Sequence, residues 1–212
     1  TATNAVQQTS DYVVQENEQQ LYKFTTEFNP NERLQTEYNL LIKSASNFEN
    51  TDLVSSSNSR GASSLETENI DILKSQEPSS INQELKAYYT LNEDHIFSFE
   101  AQHLSQDEDP FYQAIKEIQP FRNILPLDTN QSNFNINQAR NTSTDKLEGK
   151  LDYYYILNPK SNLNFTFGIT DVSQKFNSNI FQLLDDKSQN KFEDQLLGND
   201  VDFNFTDAYF SF

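Results

Sequence analysis

The stretch that decides the fold covers residues 146–170 and reads KLEGKLDYYYILNPKSNLNFTFGIT. Apolar residues occupy every second position on both sides of its centre, which is the two-residue repeat of a β-strand with two unlike faces. The centre, at 158–161, has proline in its second position and is typical of a tight turn. The stretch therefore predicts a β-hairpin.

The same alternation recurs in two more hairpins. Residues 83–102 alternate on either side of turn-forming residues at 92–94. Residues 22–42 alternate on either side of a break at 29–31 that contains a proline. Together with the first hairpin, these segments predict six strands of an antiparallel sheet.

A seventh strand is predicted near the end of the sequence, at 201–212, with a change of phase near Asp207. Residues 12–14 are a candidate eighth strand. The segments between the hairpins are rich in Ser, Asn, Gln and Asp, and connections of this length are uncommon in compact domains. They predict three long loops, at 44–80, 105–143 and 173–199, the second with a roughly helical spacing at 111–118.

Short turns and long loops alternate along the sequence, so all turns are expected at one edge of the sheet and all loops at the other. Outer-membrane barrels have this asymmetry. A strand of about 11 residues at ~3.3 Å per residue, tilted by about 40°, spans roughly 27 Å, close to their ~25 Å apolar band. The predicted fold class is all-β: an antiparallel transmembrane β-barrel, or a segment of a larger one, formed by the single region 1–212.

Charge separates the two predicted faces, as lipid requires, because a charge facing the middle of a bilayer costs about 2 to 4 kcal/mol. The residues expected to face lipid are Leu85, Tyr89, Leu91, Phe97, Phe99, Leu147, Leu151, Tyr155, Leu163, Phe165 and Phe167. The residues expected to face the lumen are Glu84, Lys86, Glu100, Glu148, Lys150, Asp152 and Tyr154. A soluble sheet packed on a protein core alternates in the same way. The alternative is therefore a secreted β-sheet module for binding or adhesion.

Composition excludes several classes of function. The chain has 15 Lys and Arg, 32 Asp and Glu, a net charge of −17 and no cysteine. Its acidity disfavours binding to nucleic acids, whose phosphates it would repel. Without cysteine there is no disulfide and no thiol nucleophile. Since His95 and His103 are the only histidines, the sequence is not typical of a catalytic metal centre or a Ser-His-Asp triad, and we predict no enzymatic activity.

Three segments carry a family resemblance: QLYKFTT at 20–26, LKAYYTLNEDHIFSFEAQHLSQDEDPFY at 85–112, and KLDYYYILNPKSNLNFTFG at 150–168. They resemble the barrel portion of TonB-dependent outer-membrane receptors of the Bacteroidetes type. The resemblance implies a location in the cell outer membrane, outer-membrane lipid around the barrel, a plug domain and a TonB-type energiser as partners. Because such barrels have many more strands, it also implies that this chain is one segment of a larger barrel.

One acidic cluster is a candidate metal site. Asp107, Glu108 and Asp109 follow a predicted strand, and carboxylate oxygens are the ligands that Ca²⁺ prefers. The alternative is a solvated acidic loop stiffened by Pro110. Calcium is the one cofactor that the sequence suggests.

The predicted function is uptake or passage of a solute across the outer membrane. With a net charge of −17, we expect the loop side to disfavour free anions and to tolerate cations or neutral solutes. Strong anion preference of a reconstituted pore would contradict this expectation.

Overall fold

The structure is a computed structural model that describes residues 7–57, 66–122, 124–192 and 198–212. Its described residues form only strands, turns and irregular segments. The strands are β1 (Gln7–Asn31), β2 (Leu34–Ser57), β3 (Glu66–Gln76), β4 (Ser79–Asn92), β5 (His95–Glu108), β6 (Phe111–Lys116), β7 (Phe134–Asn158), β8 (Ser161–Leu183), β9 (Gln189–Lys191) and β10 (Asn199–Ser211). Within the described residues, no helix has the length and apolar character needed to cross a membrane.

All ten strands belong to one antiparallel sheet. Strands β3 and β4 both pair with β2, and strands β5 and β6 both pair with β7. The register is the same on both sides of each break, so β3 and β4 act as one long strand, and so do β5 and β6. Each break contains a proline, Pro78 or Pro110, which lacks the N–H that a ladder of hydrogen bonds needs. The result is a meander of seven long strands, with the short β9 added to β8.

The short turns at 32–33, 93–94 and 159–160 all lie at one end of this sheet, which we call the turn end. The opposite end is the loop end. This arrangement agrees with the predicted alternation of short and long connections. The described residues form seven long strands, and residues 12–14 belong to β1 rather than to an eighth strand.

The predicted extent of the long loops is wrong. Strands β2, β7 and β8 are 23 to 25 residues long and continue far into the segments 44–80, 105–143 and 173–199. Strands β3, β6 and β9 lie in the same segments, and β6 replaces the helical spacing at 111–118. The polar composition hid these strands, because a strand whose two faces both meet water needs no apolar alternation. Residues 58–65 and 193–197 of the predicted loops lie outside the described residues.

The predicted irregularity of the backbone near Asp207, at which the last strand would change phase, is also wrong. Strand β10 pairs with β8 in one unbroken register, from Asn199 opposite Ser178 to Ser211 opposite Thr166. Phe203 and Phe205 therefore lie on the opposite face of the sheet from Phe210. The apolar residues exchange faces along this strand, and no irregularity of the backbone compensates for it.

The connection at 117–133 folds back over the loop end of the sheet. Leu125 packs there with Ile136 and Phe192 in a small buried cluster. The side chain of Gln182 is fully buried and exchanges two hydrogen bonds with the backbone of Asp128, at 2.8 and 2.9 Å. Buried amides need such partners, so this pair fixes the connection to β8.

Candidate functional site: two unlike faces of one sheet

Pairing places the predicted lumen residues on one side of the sheet, which we call the charged face. Cross-strand partners share a face. Lys86 pairs with Glu100, which pairs with Lys150. The alternation along each strand then gives the members of this face that the sequence had proposed: Glu84, Lys86, Glu100, Glu148, Lys150, Asp152 and Tyr154.

Ten of the eleven residues predicted to face lipid lie on the other side of the sheet, and Leu91 is the exception. Phe99, Leu151 and Phe167 are neighbours on three strands. Leu91 lies at a register shift between Thr90 and Asn92. The remaining ten residues form what we call the apolar belt: Leu85, Tyr89, Phe97, Phe99, Leu147, Leu151, Tyr155, Leu163, Phe165 and Phe167.

The belt has a polar boundary towards the loop end. His103 pairs with Leu147. Its ring Nε2 lies 3.0 Å from Oδ2 of Asp145, which precedes Leu147 by two residues and lies nearer the loop end. On the next strand, Asp171 pairs with Leu147. Among the described strands, carboxylates on this face therefore begin at this boundary and lie towards the loop end.

At the centre of the sheet, between β7 and β8, the exposure of the two faces is inverted. Leu151 and Phe167 of the belt are 42% and 52% exposed, whereas Asp152 and Thr166 of the charged face are 3% and 9% exposed. A sheet packed on a soluble core shows the reverse, because its apolar face is the covered one. No second layer covers the belt within the described residues: the connection at 117–133 packs against Ile136, on the charged face.

The charged face is held by short ion pairs within strands. Lysine nitrogens lie 2.8 to 3.0 Å from carboxylate oxygens two residues away in the pairs Lys86–Glu84, Lys146–Glu148 and Lys150–Asp152. The hydroxyl of Thr166 donates a second hydrogen bond to Asp152, at 2.6 Å. The nearly buried Asp152 is thus satisfied from two strands, as a buried carboxylate must be.

One cross-strand row illustrates the sign of the net charge on this face. Glu27 pairs with Glu37, Glu37 with Lys86, Lys86 with Glu100, and Glu100 with Lys150. Three carboxylates and two ammonium groups therefore alternate imperfectly across five strands. The row is net negative, and it offers hydrogen-bond acceptors to a cation or a hydroxylated solute.

Aromatic rings line the turn end of the belt. Ring centroids of Phe97 and Tyr153 are 4.9 Å apart, those of Tyr153 and Phe165 6.0 Å, and those of Phe165 and Phe210 6.4 Å. His95 stacks on Tyr155, and its Nδ1 lies 2.7 Å from the hydroxyl oxygen of Tyr153. Membrane-spanning barrels carry aromatic girdles with polar tips at their interfaces.

The acidic cluster proposed for calcium does not converge. Asp109 accepts a hydrogen bond from the backbone N–H of Glu77 at 2.7 Å, and Glu108 accepts one from the side chain of Gln106 at 2.6 Å. Glu108 lies on the charged face, and Asp107 lies on the other. In the part of the chain that the structure describes, no three His, Asp or Glu side chains are grouped to hold a metal ion.

The charged face also has a recess that the sequence analysis missed. It lies in the loop half of the sheet, where Glu49, Lys74, Tyr112 and Arg140 line a space of about 480 Å³. The residues fall in segments that were predicted as loops, so their common face could not be recognised. The sequence offered one weak signal for a strand in these segments, the alternation of Ile70 and Ile72 in what is now β3.

No known protein-family model matches the chain, and no curated protein is detectably similar to it. The functional inference therefore depends on the geometry of the two faces.

Proposed function

We propose that this chain is part of an outer-membrane β-barrel through which a solute passes, with the charged face towards the lumen and the apolar belt towards lipid. The inverted exposure of the two faces carries this proposal. A contiguous apolar surface of this extent in water is a site of association or aggregation. Hydrocarbon is the environment that such a surface fits without a second protein layer.

The dimensions of the belt agree with a bilayer. On β7 its face runs from Leu147 to Leu157 and carries no charge. These ten steps measure about 34 Å at ~3.4 Å per residue, and a tilt of about 40° reduces this to roughly 26 Å, against an apolar band of ~25 Å. Strands of 23 to 25 residues then extend beyond the bilayer on the loop side.

In this proposal the solute undergoes no chemical reaction during its passage. The solute moves along the charged face, where the net negative row from Glu27 to Lys150 favours cations and hydroxylated neutral solutes over free anions. The connection at 117–133 lies on this face at the loop end, so it narrows the entrance. A plug domain and a TonB-type energiser are partners that follow from the family resemblance.

The direction of the edge strands restricts how the barrel can close. Five long strands separate β1 from β10 in an alternating meander, so these two edges run in the same direction. Direct pairing of β1 with β10 would be parallel, and so would pairing with a second copy in the same membrane orientation. Bacterial outer-membrane barrels are antiparallel throughout. An odd number of further strands must therefore lie between the two edges.

This closure can be tested by disulfide formation, because the chain has no cysteine of its own. We expect no intramolecular disulfide between Thr25→Cys on β1 and Phe203→Cys, Phe205→Cys or Asp207→Cys on β10, since Cα atoms separated by another strand are too far apart. The positive control is the pair Thr25→Cys and Asn39→Cys, which are direct partners. Efficient cross-linking of β1 to β10 would contradict closure by further strands.

The proposed location is tested by fractionation of the cell envelope. We expect the chain to stay with washed outer membranes and to be released only by detergent. Release into the soluble fraction without detergent would favour the secreted binding module instead. In that case the belt must be covered by protein.

A further inference from the structure

We propose that a small pocket in the middle of the charged face binds an organic ammonium ion, a primary amine that carries an apolar group. This central pocket is lined by Glu100, Glu148, Lys150 and Tyr209, among others, and encloses about 190 Å³. Sites for drug-sized ligands measure roughly 300 to 1,000 Å³, so the central pocket has room for a small amine only. The inference rests on the proposed function and deepens it, since the pocket would hold a cationic solute on its way along the charged face.

The central pocket lies on the extension of the net negative row described above. Glu100, Lys150 and Gly168 are partners on β5, β7 and β8, and Tyr209 continues the row on β10. Glu148 precedes Lys150 by two residues and shares its face. Side chains from three strands therefore converge on one space above Gly168.

Glu100 is a carboxylate without an ion-pair partner among the described residues. Both of its neighbours in the row are lysines, but their ammonium groups are bound elsewhere. Lys86 binds Glu84 at 3.0 Å. Lys150 binds Asp152 at 2.8 Å, towards the turn end. Both oxygens of Glu100 are therefore available to a ligand.

Glu148 offers one further acceptor. Its Oε1 lies 2.9 Å from the ammonium group of Lys146 and accepts a hydrogen bond from the hydroxyl of Thr170 at 3.5 Å. Its Oε2 has no partner in the part of the chain that the structure describes. A primary ammonium group has three N–H donors and no acceptor. It can use oxygens of both carboxylates, which a quaternary ammonium ion without N–H groups cannot do.

An aromatic ring forms the side of the pocket towards β10. The ring of Tyr209 lies directly over Gly168, so closely that a β-carbon on Gly168 would overlap it. Tyr209 is nevertheless 45% exposed, so part of the ring remains open to a ligand. The face of such a ring attracts cations, and its carbon atoms pack against hydrocarbon. The glycine thus holds in place a surface that suits an amine with an apolar group.

The arrangement suits an organic cation better than a metal ion. No three His, Asp or Glu side chains of the described ranges are grouped closely enough to hold a metal ion. The carboxylates of the pocket stand on different strands, and a metal ion needs ligands that converge on one point. An amine can span the pocket, with its ammonium group at the carboxylates and its apolar group at Tyr209.

The test is a binding titration of the full chain in detergent micelles with benzylammonium. Benzyltrimethylammonium carries the same charge without N–H donors, and benzyl alcohol is the neutral analogue. We expect saturable binding of benzylammonium, weaker binding of the quaternary ion and no saturable binding of the alcohol. Glu100→Gln should weaken benzylammonium about tenfold, as the loss of one charge-assisted hydrogen bond does. Tyr209→Leu should weaken it about two- to fivefold, as the loss of one exposed cation–π contact does.

Glu93→Gln is the matched control, because it removes the same charge at the turn end, outside the pocket. It should bind benzylammonium as the native chain does. Equal losses for Glu93→Gln and Glu100→Gln, or equal binding of the primary and quaternary ions, would mean attraction by net charge alone and would overturn the proposal. Absence of saturable binding of benzylammonium to the native chain would overturn it as well.

The comparison of the three probes uses the native chain, so it does not depend on the folding of any variant. The titration needs only folded protein, whereas fractionation of the envelope reports the location. The binding of an amine and the proposed location can therefore fail separately.

Discussion

Leu151→Arg is expected to destabilise the chain in a bilayer by about 2 to 4 kcal/mol, because it places a charge in the middle of the apolar belt. Leu151 is 42% exposed and lies between Phe99 and Phe167, on the two neighbouring strands. The measurement is denaturant unfolding from phospholipid vesicles, together with the yield of the variant in washed outer membranes.

The matched control for this variant is Gln102→Arg on the charged face. Gln102 pairs with Glu84 and Glu148, so the new guanidinium meets two carboxylates, and we expect a change of less than about 1 kcal/mol. Equal losses for the two variants would contradict the assignment of the faces. So would a Leu151→Arg variant that assembles normally in vesicles.

Gln182→Leu is expected to release the connection at 117–133 from the sheet. The substitution leaves the N–H and the carbonyl oxygen of Asp128 without the two bonds that Gln182 now supplies. Each of the two groups left unpaired costs about 1 to 3 kcal/mol, so the loss of stability is roughly 2 to 6 kcal/mol. Hydrogen exchange should become faster at residues 124–131, where protection depends on this attachment.

Gln174→Leu, on the same strand, is the control for that variant. Gln174 is exposed and donates a single hydrogen bond to Thr144, at 3.1 Å, so its loss should cost no more than about 0.5 kcal/mol. If both variants exchange at the native rate over 124–131, Gln182 does not anchor the connection.

The faces of the hairpins could be predicted from the sequence because successive side chains of each strand meet different environments. In the turn half of the sheet, charged residues occupy every second position between small or apolar ones, as at 147–152. A single shift of register would move every charge to the apolar side. The pattern therefore specifies which residues share a face as well as the strand itself.

The loop half could not be predicted, because there the two faces are similar. Strand β3 reads ETENIDILKSQ, and the first half of β7 reads FNINQARNTSTD. Polar residues on both sides leave no period to detect. These strands are specified by pairing with long neighbours. Pro78 and Pro110 interrupt the hydrogen bonding between paired strands but do not end the pairing.

The recess and the buried Gln182 escaped prediction for a related reason. Arg140 and Tyr112 are 28 residues apart in the sequence, and only the register between β6 and β7 brings their segments together. The pairing of Gln182 with the backbone of Asp128 joins a strand to an irregular connection. No local propensity encodes such contacts.

The central claim is that the apolar belt contacts hydrocarbon, and spin-label accessibility tests it most directly. Because the chain has no cysteine, single cysteines can be placed in turn at residues 147–157, labelled with a nitroxide and reconstituted in vesicles. Collisions with oxygen, which concentrates in lipid, should peak at 147, 149, 151, 153 and 155, and collisions with a water-soluble nickel complex at the even positions between them. A period of two in this opposite phase supports the account. Odd positions that the nickel complex reaches as readily as the even ones, or that neither reagent reaches, would contradict it.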